Sequence, residues 1–509
     1  MPRTHPAPVL MVLGTASSAG KSVIVTALCR IFRQDGVRVA PFKAQNMSNN
    51  ADVTADGGEI GRAQSEQAAA ASIPPTTAMN PVLLKPQGDR TSQVVVDGRP
   101  AGLLRSSEFF ERKRDLWPHV ERALASLRAE YDLIVAEGAG SPAEPNLRAG
   151  DIVNMRVALH AGAAVLLVGD IDRGGVFAHL LGTMELLTPE ERACVRGFVI
   201  NRFRGDPTLL APAIEDLERR TGVPVLGVVP WLTDLRVAQE DAVALERAED
   251  ARGAAPNAGE VDIAIARLPS IANFDDFDPL AAEPGVRVRY VARAEDLGTP
   301  SLIILPGTKA TIADLDALRT SGLAAAIVAR ARAGTPVLGI CGGFQMLGER
   351  LAAPLGVEAT AGAEVAGLGL LPIATTFAAE KVTRRAVGEV IAATGPWATP
   401  GTAVDGYEIH MGRTEGIDDA RLMPLLRLGD AEDGAVSADG RVAGCYLHGL
   451  FHNAAFRHAL LTALGWDATH AVTFDREREF DRLAQHVRSH LDMERVRALV
   501  LGDRVAGDG

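Results

Sequence analysis

The chain has 509 residues, 47% of them hydrophobic and 23% charged, with a formal net charge of −12 at pH 7. That length exceeds what one core serves and predicts two or three domains. The acidic balance argues against sequence-independent nucleic-acid binding, which rests on neutralising phosphates with Lys and Arg. Four cysteines make no disulfide framework and fit a reducing compartment. No apolar run approaches the ~18 residues of a membrane span. A soluble, cytoplasmic protein with no nucleic-acid or membrane partner is expected.

Short apolar runs bounded by turn residues recur from the N-terminus: Val9–Leu13, Val37–Ala40, Leu133–Ala136, Ala164–Val168, Phe198–Ile200 and Val225–Val229. Continuous rather than alternating apolar strands, separated by stretches of helical period, predict a parallel sheet covered on both faces. The polar, small-residue stretch at 247–260 reads as a linker. A second α/β series follows with Val261–Ala266, Val286–Val291, Leu302–Leu305 and Val337–Ile340. After Gly465 the pattern is helical, and Phe480, Leu483, Val487 and Leu491 form a stripe suited to docking on the body. The expected domains are 1–246 and 261–465, with a helical tail at 466–509.

The first run ends in Gly14-Thr15-Ala16-Ser17-Ser18-Ala19-Gly20-Lys21-Ser22 and leads into a helix. In that context the loop N–H groups and the helix N-terminus converge on phosphate oxygens. Gly14 and Gly20 shape the loop, Lys21 bridges the terminal phosphates, and Ser22 is a ligand for Mg²⁺. The gap between the glycines is five residues rather than the usual four. Glu137 closes the Leu133–Ala136 run, where a carboxylate can complete a Mg²⁺ shell. Asn201 is a candidate for reading the nucleotide base. Asp170 and Asp172 are candidates for sensing phosphate or substrate, with a plain turn an equal alternative. Asp52 and Asp56 are further possible Mg²⁺ ligands, with solvated loop acids the alternative.

In the second series Gly339-Ile340-Cys341-Gly342-Gly343 places a cysteine on a sharp strand-to-helix turn. Flanking glycines permit the turn, and a helix start lowers a thiol's pKa. A nucleophile needs a base and an oxyanion hole. His448, after the Cys445-Tyr446-Leu447 run, is the candidate base; N–H groups at Gly307 and Gly342 are candidate oxyanion donors. Glu408 and His410 are candidate helpers, with strand pairing or substrate contact equally open. Arg62, Arg90, Arg148 and Arg173 are candidate partners for substrate carboxylates, solvated arginines being the default.

The nucleotide half, including Pro41-Phe42-Lys43, resembles the dethiobiotin synthetase branch of P-loop proteins, which activate a carboxylate as a mixed phosphate anhydride. The resemblance puts Lys43 near the reacting groups. The half from Val261 resembles the class I glutamine amidotransferases. In most of these a glutamate two residues after the histidine orients it, and that position here is Leu450. The departure resembles the branch that amidates cobyrinic acids, where a Cys–His pair is named as catalytic. Phe42-Lys-Ala-Gln-Asn-Met-Ser-Asn-Asn50, Gly57–Gln64, Met79–Pro86, Asp170–Phe177, Arg196–Asp206 and Tyr407–Gly412 resemble, in this order, the cobyric acid synthase family.

The fold implied is α/β throughout: an N-terminal dethiobiotin synthetase-like P-loop domain with a parallel sheet, then a class I glutamine amidotransferase-like domain. The activity implied is ATP-, Mg²⁺- and L-glutamine-dependent amidation of the b, d, e and g carboxylates of adenosylcobyrinic acid a,c-diamide in cobalamin biosynthesis. Alternatives are the sister reaction on the a and c carboxylates, a nucleotide switch carrying an inactive glutaminase-like module, and an ester-hydrolysing elbow at Cys341.

Overall fold

The apolar runs of the first half assemble into one six-stranded sheet. In a computed structural model, which describes residues 5–87, 91–105, 109–232, 235, 260–417, 422–471 and 475–502, its strand order is Val225–Pro230, Val195–Phe203, Ala164–Asp170, Val9–Gly14, Leu133–Glu137 and Val39–Phe42. All neighbours are parallel. Val9–Gly14 is buried along its whole length, as a central strand covered on both faces must be. The run expected at Val37–Ala40 forms its strand two residues later. The linker expected at 247–260 lies, except for residue 260, outside the described residues, as does Arg90.

Residues between the second and third of these strands in sequence leave the main sheet. Gln45–Met47, Val82–Pro86, Thr91–Val96 and Arg99–Arg105 make a four-stranded satellite sheet, and Ala51–Val53 pairs with Glu59–Gly61. The short helix Arg62–Ala70 follows directly, with seven of its nine residues buried.

In the second half, Val286–Val291, Val261–Ala266, Leu302–Leu305, Val337–Ile340 and Val442–Cys445 lie side by side and parallel. Two short antiparallel strands extend this sheet beyond Val442–Cys445. A second, mostly antiparallel sheet is built on a long hairpin, Ile373–Val390 against Ala403–Gly416. Composition gave no hint of that hairpin, because its burial alternates only partly along its length.

The tail forms helices Arg476–Arg488 and Met493–Leu501, and both return to the first domain. Phe480, Leu483, Val487 and Val496 pack with Leu10, Val12, Ile24 and Leu28 in one core. Arg30 on the helix after the phosphate loop pairs with Glu477 and Asp481. Among the described residues no helix is long and apolar enough to cross a membrane. Because Phe480 is fully buried, Phe480→Ala should destabilise the first domain by about 3–5 kcal/mol. Urea unfolding followed by tryptophan fluorescence measures this, and a loss below ~1 kcal/mol would mean that the tail is not part of that core.

Candidate active site

Two adjacent strands of the first sheet end at one cavity, and a third ends beside it, where its Asp170 pairs with Arg202 of the lining. Val9–Gly14 runs into the phosphate loop, Leu133–Glu137 ends in a carboxylate, and Ala164–Asp170 ends in another. The cavity encloses about 640 Å³ and is lined by Thr15–Ser18, Gly20–Ser22, Lys43, Glu137, Gly140 and Arg202, among others. Such a crevice beyond the carboxyl ends of parallel strands is where α/β sheets bind nucleotides. Gly20 sits at φ 94° and opens the helix Lys21–Gln34. A Cβ there would also lie 2.1 Å from Asn201 Nδ2, so both conformation and space require glycine. Lys21 Nζ is held over the loop by the carbonyls of Ala16, at 3.0 Å, and Gly140, at 3.3 Å.

Glu137 is the hub of this cavity. One carboxylate oxygen accepts from Ser22 Oγ at 2.9 Å and Lys43 Nζ at 3.0 Å, and the other from Gln67 Nε2 at 2.6 Å. Burial alone would raise its pKa, but Lys43, these hydrogen bonds and Lys21 hold it below the ordinary carboxylate value. The group therefore favours its ionised form, a hard oxygen donor. Among the described residues no group of three or more His, Cys, Asp or Glu is placed to hold a metal. A single carboxylate and a hydroxyl suit Mg²⁺, which keeps its remaining positions for water and phosphate oxygens.

In the second domain four neighbouring strand ends converge. Cys341 follows Val337–Ile340, Gly307 follows Leu302–Leu305, His448 follows Val442–Cys445, and Asp276 lies after Val261–Ala266. Cys341 has φ 52°, a conformation rare for any residue but glycine. Its N–H donates to Cys445 O at 2.8 Å, and the helix Gly342–Leu347 begins immediately after it. The turn tolerates no side chain at its neighbours. A Cβ on Gly343 would lie 2.0 Å from Leu305 O, and one on Gly342 2.6 Å from Thr308 Cγ2.

His448 lines the same pocket as Cys341, whose Sγ lies 3.5 Å from Ile409 O. The imidazole Nδ1 meets Asp276 Oδ2 at 2.7 Å, while Asp276 Oδ1 accepts from Gly449 N at 2.9 Å. Tyr407 stacks on the imidazole at 5.3 Å. Burial disfavours the imidazolium, but the Asp276 carboxylate outweighs it and lifts the pKa to about 10. Gly307 is packed against the same ring, with space for a Cβ only 2.8 Å from His448 Cε1.

The whole chain is similar to proteins of one kind. Residues 10–244 match a CobQ/CobB/MinD/ParA nucleotide binding domain, and residues 262–456 match a CobB/CobQ-like glutamine amidotransferase domain. The cobyric acid synthase of Chloroflexus aggregans is 55% identical over 95% of this chain and 96% of its own length. That of Roseiflexus castenholzii is 55% identical over 97% and 99%, and that of Dehalococcoides mccartyi 49% over 97% and 99%. The chain belongs to the cobyric acid synthase family. It is an enzyme of the amidotransferase ligase type, with a nucleotide-binding domain that implies use of ATP.

The other residues singled out from the sequence each have partners of their own. Asp52 is no neighbour of the phosphate loop. It is buried with Ser65, Arg62 and Arg385, and Arg385 Nη2 lies 3.0 Å away, so its charge is consumed at the domain boundary. Asp56 is bonded to Thr54. Asn201 donates to Ala19 O at 3.0 Å and braces the loop from behind rather than lining the cavity. Asp170 is paired with Arg202 at 2.8 Å and Asp172 with Arg204 at 3.1 Å. Glu408 is paired with Arg384, while His410 stacks on Tyr446 and lines the pocket of Cys341 and His448. Arg62 is buried, Arg148 lines the nucleotide cavity, and Arg173 is largely exposed.

Sequence reasoning missed Asp276. The position that carries a glutamate in most class I glutamine amidotransferases is Leu450 here, and the carboxylate beside His448 comes from 172 residues earlier in the chain. Its only signal was the run Asn273-Phe-Asp-Asp-Phe-Asp278 after an apolar strand. Because the His448 pKa is raised in the folded state, the stability it contributes is complete below about 6.5. That contribution is lost as pH rises towards about 10. Asp276→Asn should bring the pKa back towards roughly 6.5 and abolish that loss between neutral and alkaline pH. Imidazole NMR titration with denaturant melts at several pH values reads both, and an unchanged pKa would remove Asp276 from the relay.

Proposed function

We propose that the enzyme converts adenosylcobyrinic acid a,c-diamide to adenosylcobyric acid, amidating its b, d, e and g carboxylates with ammonia from glutamine. The observation that carries this reading is the pair of strand-end sites, a thiol–imidazole–carboxylate relay and a phosphate loop with its carboxylate, in one chain of this family.

In the glutaminase site the Asp276 carboxylate holds His448 in the imidazolium form at neutral pH, so that it already carries the Cys341 proton. The sulfur attacks the amide carbon of glutamine. The N–H groups at Gly307 and Gly342 meet the oxyanion, and His448 returns the proton to the departing ammonia. Asp276 fixes the imidazole tautomer, keeping the other ring nitrogen towards the thiol. Water then hydrolyses the thioester by the same route. In the synthetase site Lys21 and the loop N–H groups hold the terminal phosphates of ATP, while Lys43 lies beside Glu137, where an incoming carboxylate would be phosphorylated. Ser22 and Glu137 would hold Mg²⁺, whose chemistry is to neutralise charge on the transferring phosphoryl group. Ammonia then displaces phosphate from the acyl phosphate, since a bare carboxylate oxygen is too poor a leaving group.

One segment links the two sites. Lys43, Gln45 and Asn46 line the nucleotide cavity, and Asn49 lines the pocket of Cys341. Gln45 Oε1 and Asn49 Oδ1 on this segment, and Gln67 Oε1 on the helix Arg62–Ala70, are buried acceptors with no hydrogen-bond partner among the described residues. They support transfer of ammonia along this segment, sheltered from the protonation that bulk water imposes at neutral pH.

Cys341→Ala should reduce glutamine-dependent amidation by roughly 10³-fold or more and leave amidation from high ammonium within about twofold. Lys21→Ala should remove both nitrogen routes and spare residual glutaminase. Mass spectrometry of the corrinoid counts the amides: four added supports this reading, and two added would assign the sister reaction instead. Equal loss of both nitrogen routes in Cys341→Ala would end the two-site division.

A further inference from the structure

Around the Cys341 thiol lies a second set of charges that the proton relay does not use. Lys309, two residues after Gly307, is only 8% exposed and lines the same pocket as Cys341 and His448. Its ammonium has no carboxylate within ion-pairing distance and no hydrogen-bond acceptor among the described residues. Glu358 lines that pocket too. One of its oxygens accepts from Thr311 N at 2.9 Å, and no cation lies within ion-pairing distance of it among the described residues. By contrast, Lys85 and Lys381, also in the lining, share the carboxylate of Glu59. Lys85 and Glu59 come from the first domain and Lys381 from the second.

Buried charges left unpaired are costly. Burial pushes the Lys309 ammonium below its ordinary range and lifts Glu358 to about 7. Each is the leading charge acting on the other, yet they form no ion pair. A pocket that holds a cation and an anion apart in this way is complementary to a zwitterion. L-Glutamine is one, and two methylenes separate its reactive amide from the carbon bearing both charges. With the amide at Cys341, the charged head must lie one side-chain length further into the pocket. Gln345, held between Thr311 and Tyr446, lines the intervening wall.

We propose that Lys309 and Glu358 form the subsite for the amino-acid head of glutamine, Lys309 receiving the α-carboxylate and Glu358 the α-ammonium. Lys85 and Glu59 of the first domain, joined to Lys381 of the second, close one side of the pocket. The nitrogen donor is thereby selected by its head as well as its amide, and the synthetase domain supplies one wall of the glutaminase pocket. This rests on the reading of Cys341 as the glutaminase nucleophile.

The test uses the full-length enzyme and three amides: L-glutamine, glutaramate, which lacks the α-ammonium, and L-glutamine α-amide, which lacks the α-carboxylate charge. The wild type should show KM values for both analogues roughly 10- to 100-fold above that for glutamine, the range expected for one charged hydrogen bond. Glu358→Gln should raise KM for glutamine by a similar factor and leave KM for glutaramate unchanged. Lys309→Met should do the same for glutamine and leave the α-amide unchanged. Ammonium-driven amidation should stay at the wild-type rate in both variants. Wild-type KM values equal for all three amides would overturn the subsite whether or not the variants fold. So would variants that weaken glutamine and the analogues alike. Glutaminase persisting in Cys341→Ser would instead overturn the assignment of the nucleophile, a separate result.

Discussion

Arg62 is buried among three carboxylates, Asp52, Glu66 and Asp275, at 3.4, 3.6 and 2.7 Å. The last of these belongs to the other domain and is the immediate neighbour of Asp276, which holds His448. A guanidinium in that position cannot leave without stranding charges in a low-dielectric interior, a penalty of several kcal/mol. Burial alone would lower its pKa, but the surrounding acids raise it well above its ordinary value, so it stays a cation. Around it, Asn50 and Asn273 exchange hydrogen bonds across the boundary: Asn273 N donates to Asn50 Oδ1 at 2.7 Å, and Ala51 N donates to Asn273 Oδ1 at 2.9 Å. A small apolar patch of Val53, Leu83 and Val95 against Tyr407 and Ile409 completes the contact. The orientation of the catalytic imidazole thus depends on how the two domains are seated.

The helix Arg62–Ala70 extends that dependence to the nucleotide site. Arg62 reaches Asp275, while Gln67, little more than one turn later, donates to Glu137. A nine-residue helix with almost every side chain buried is a stiff spacer. It fixes the carboxylate of the synthetase site and the acid beside the glutaminase relay to one body. Two strand-end sites on separate sheets are in this way positioned by a single element that belongs to neither sheet.

The sequence was most legible where local physics decides the outcome. Continuous apolar runs marked nearly every strand of both parallel sheets. Gly20-Lys21-Ser22 and the glycines around Cys341 were readable because each turn demands residues without side chains. His448 was readable from its place after a strand. Contacts made across long separations left no comparable trace. Asp276 is recruited from another strand end, Asp52 is neutralised by Arg385 some 333 positions away, and Asn201 turns its amide into a loop 182 residues earlier. An acid or amide in a polar stretch looks the same whether it faces a metal, a base or a backbone carbonyl. The satellite strands and the long hairpin were missed for a related reason: one face packs on their own domain and part of the other on the opposite domain, so their sequences carry no continuous apolar run.

The tail has a consequence for how the protein is made. Helices Arg476–Arg488 and Met493–Leu501 fill one face of the first sheet, so that sheet's core includes residues at both ends of the chain. On the ribosome the chain emerges from its N-terminus, and domains fold as units once their residues are available. The second domain has all its strands in hand by Cys445. The nucleotide domain, begun first, leaves the helix Lys21–Gln34 without the packing of Phe480, Leu483 and Val487 until residues 476–501 have been made. It is the last part of the enzyme to close, and synthesis that stops short leaves a sticky half-domain beside a finished glutaminase fold.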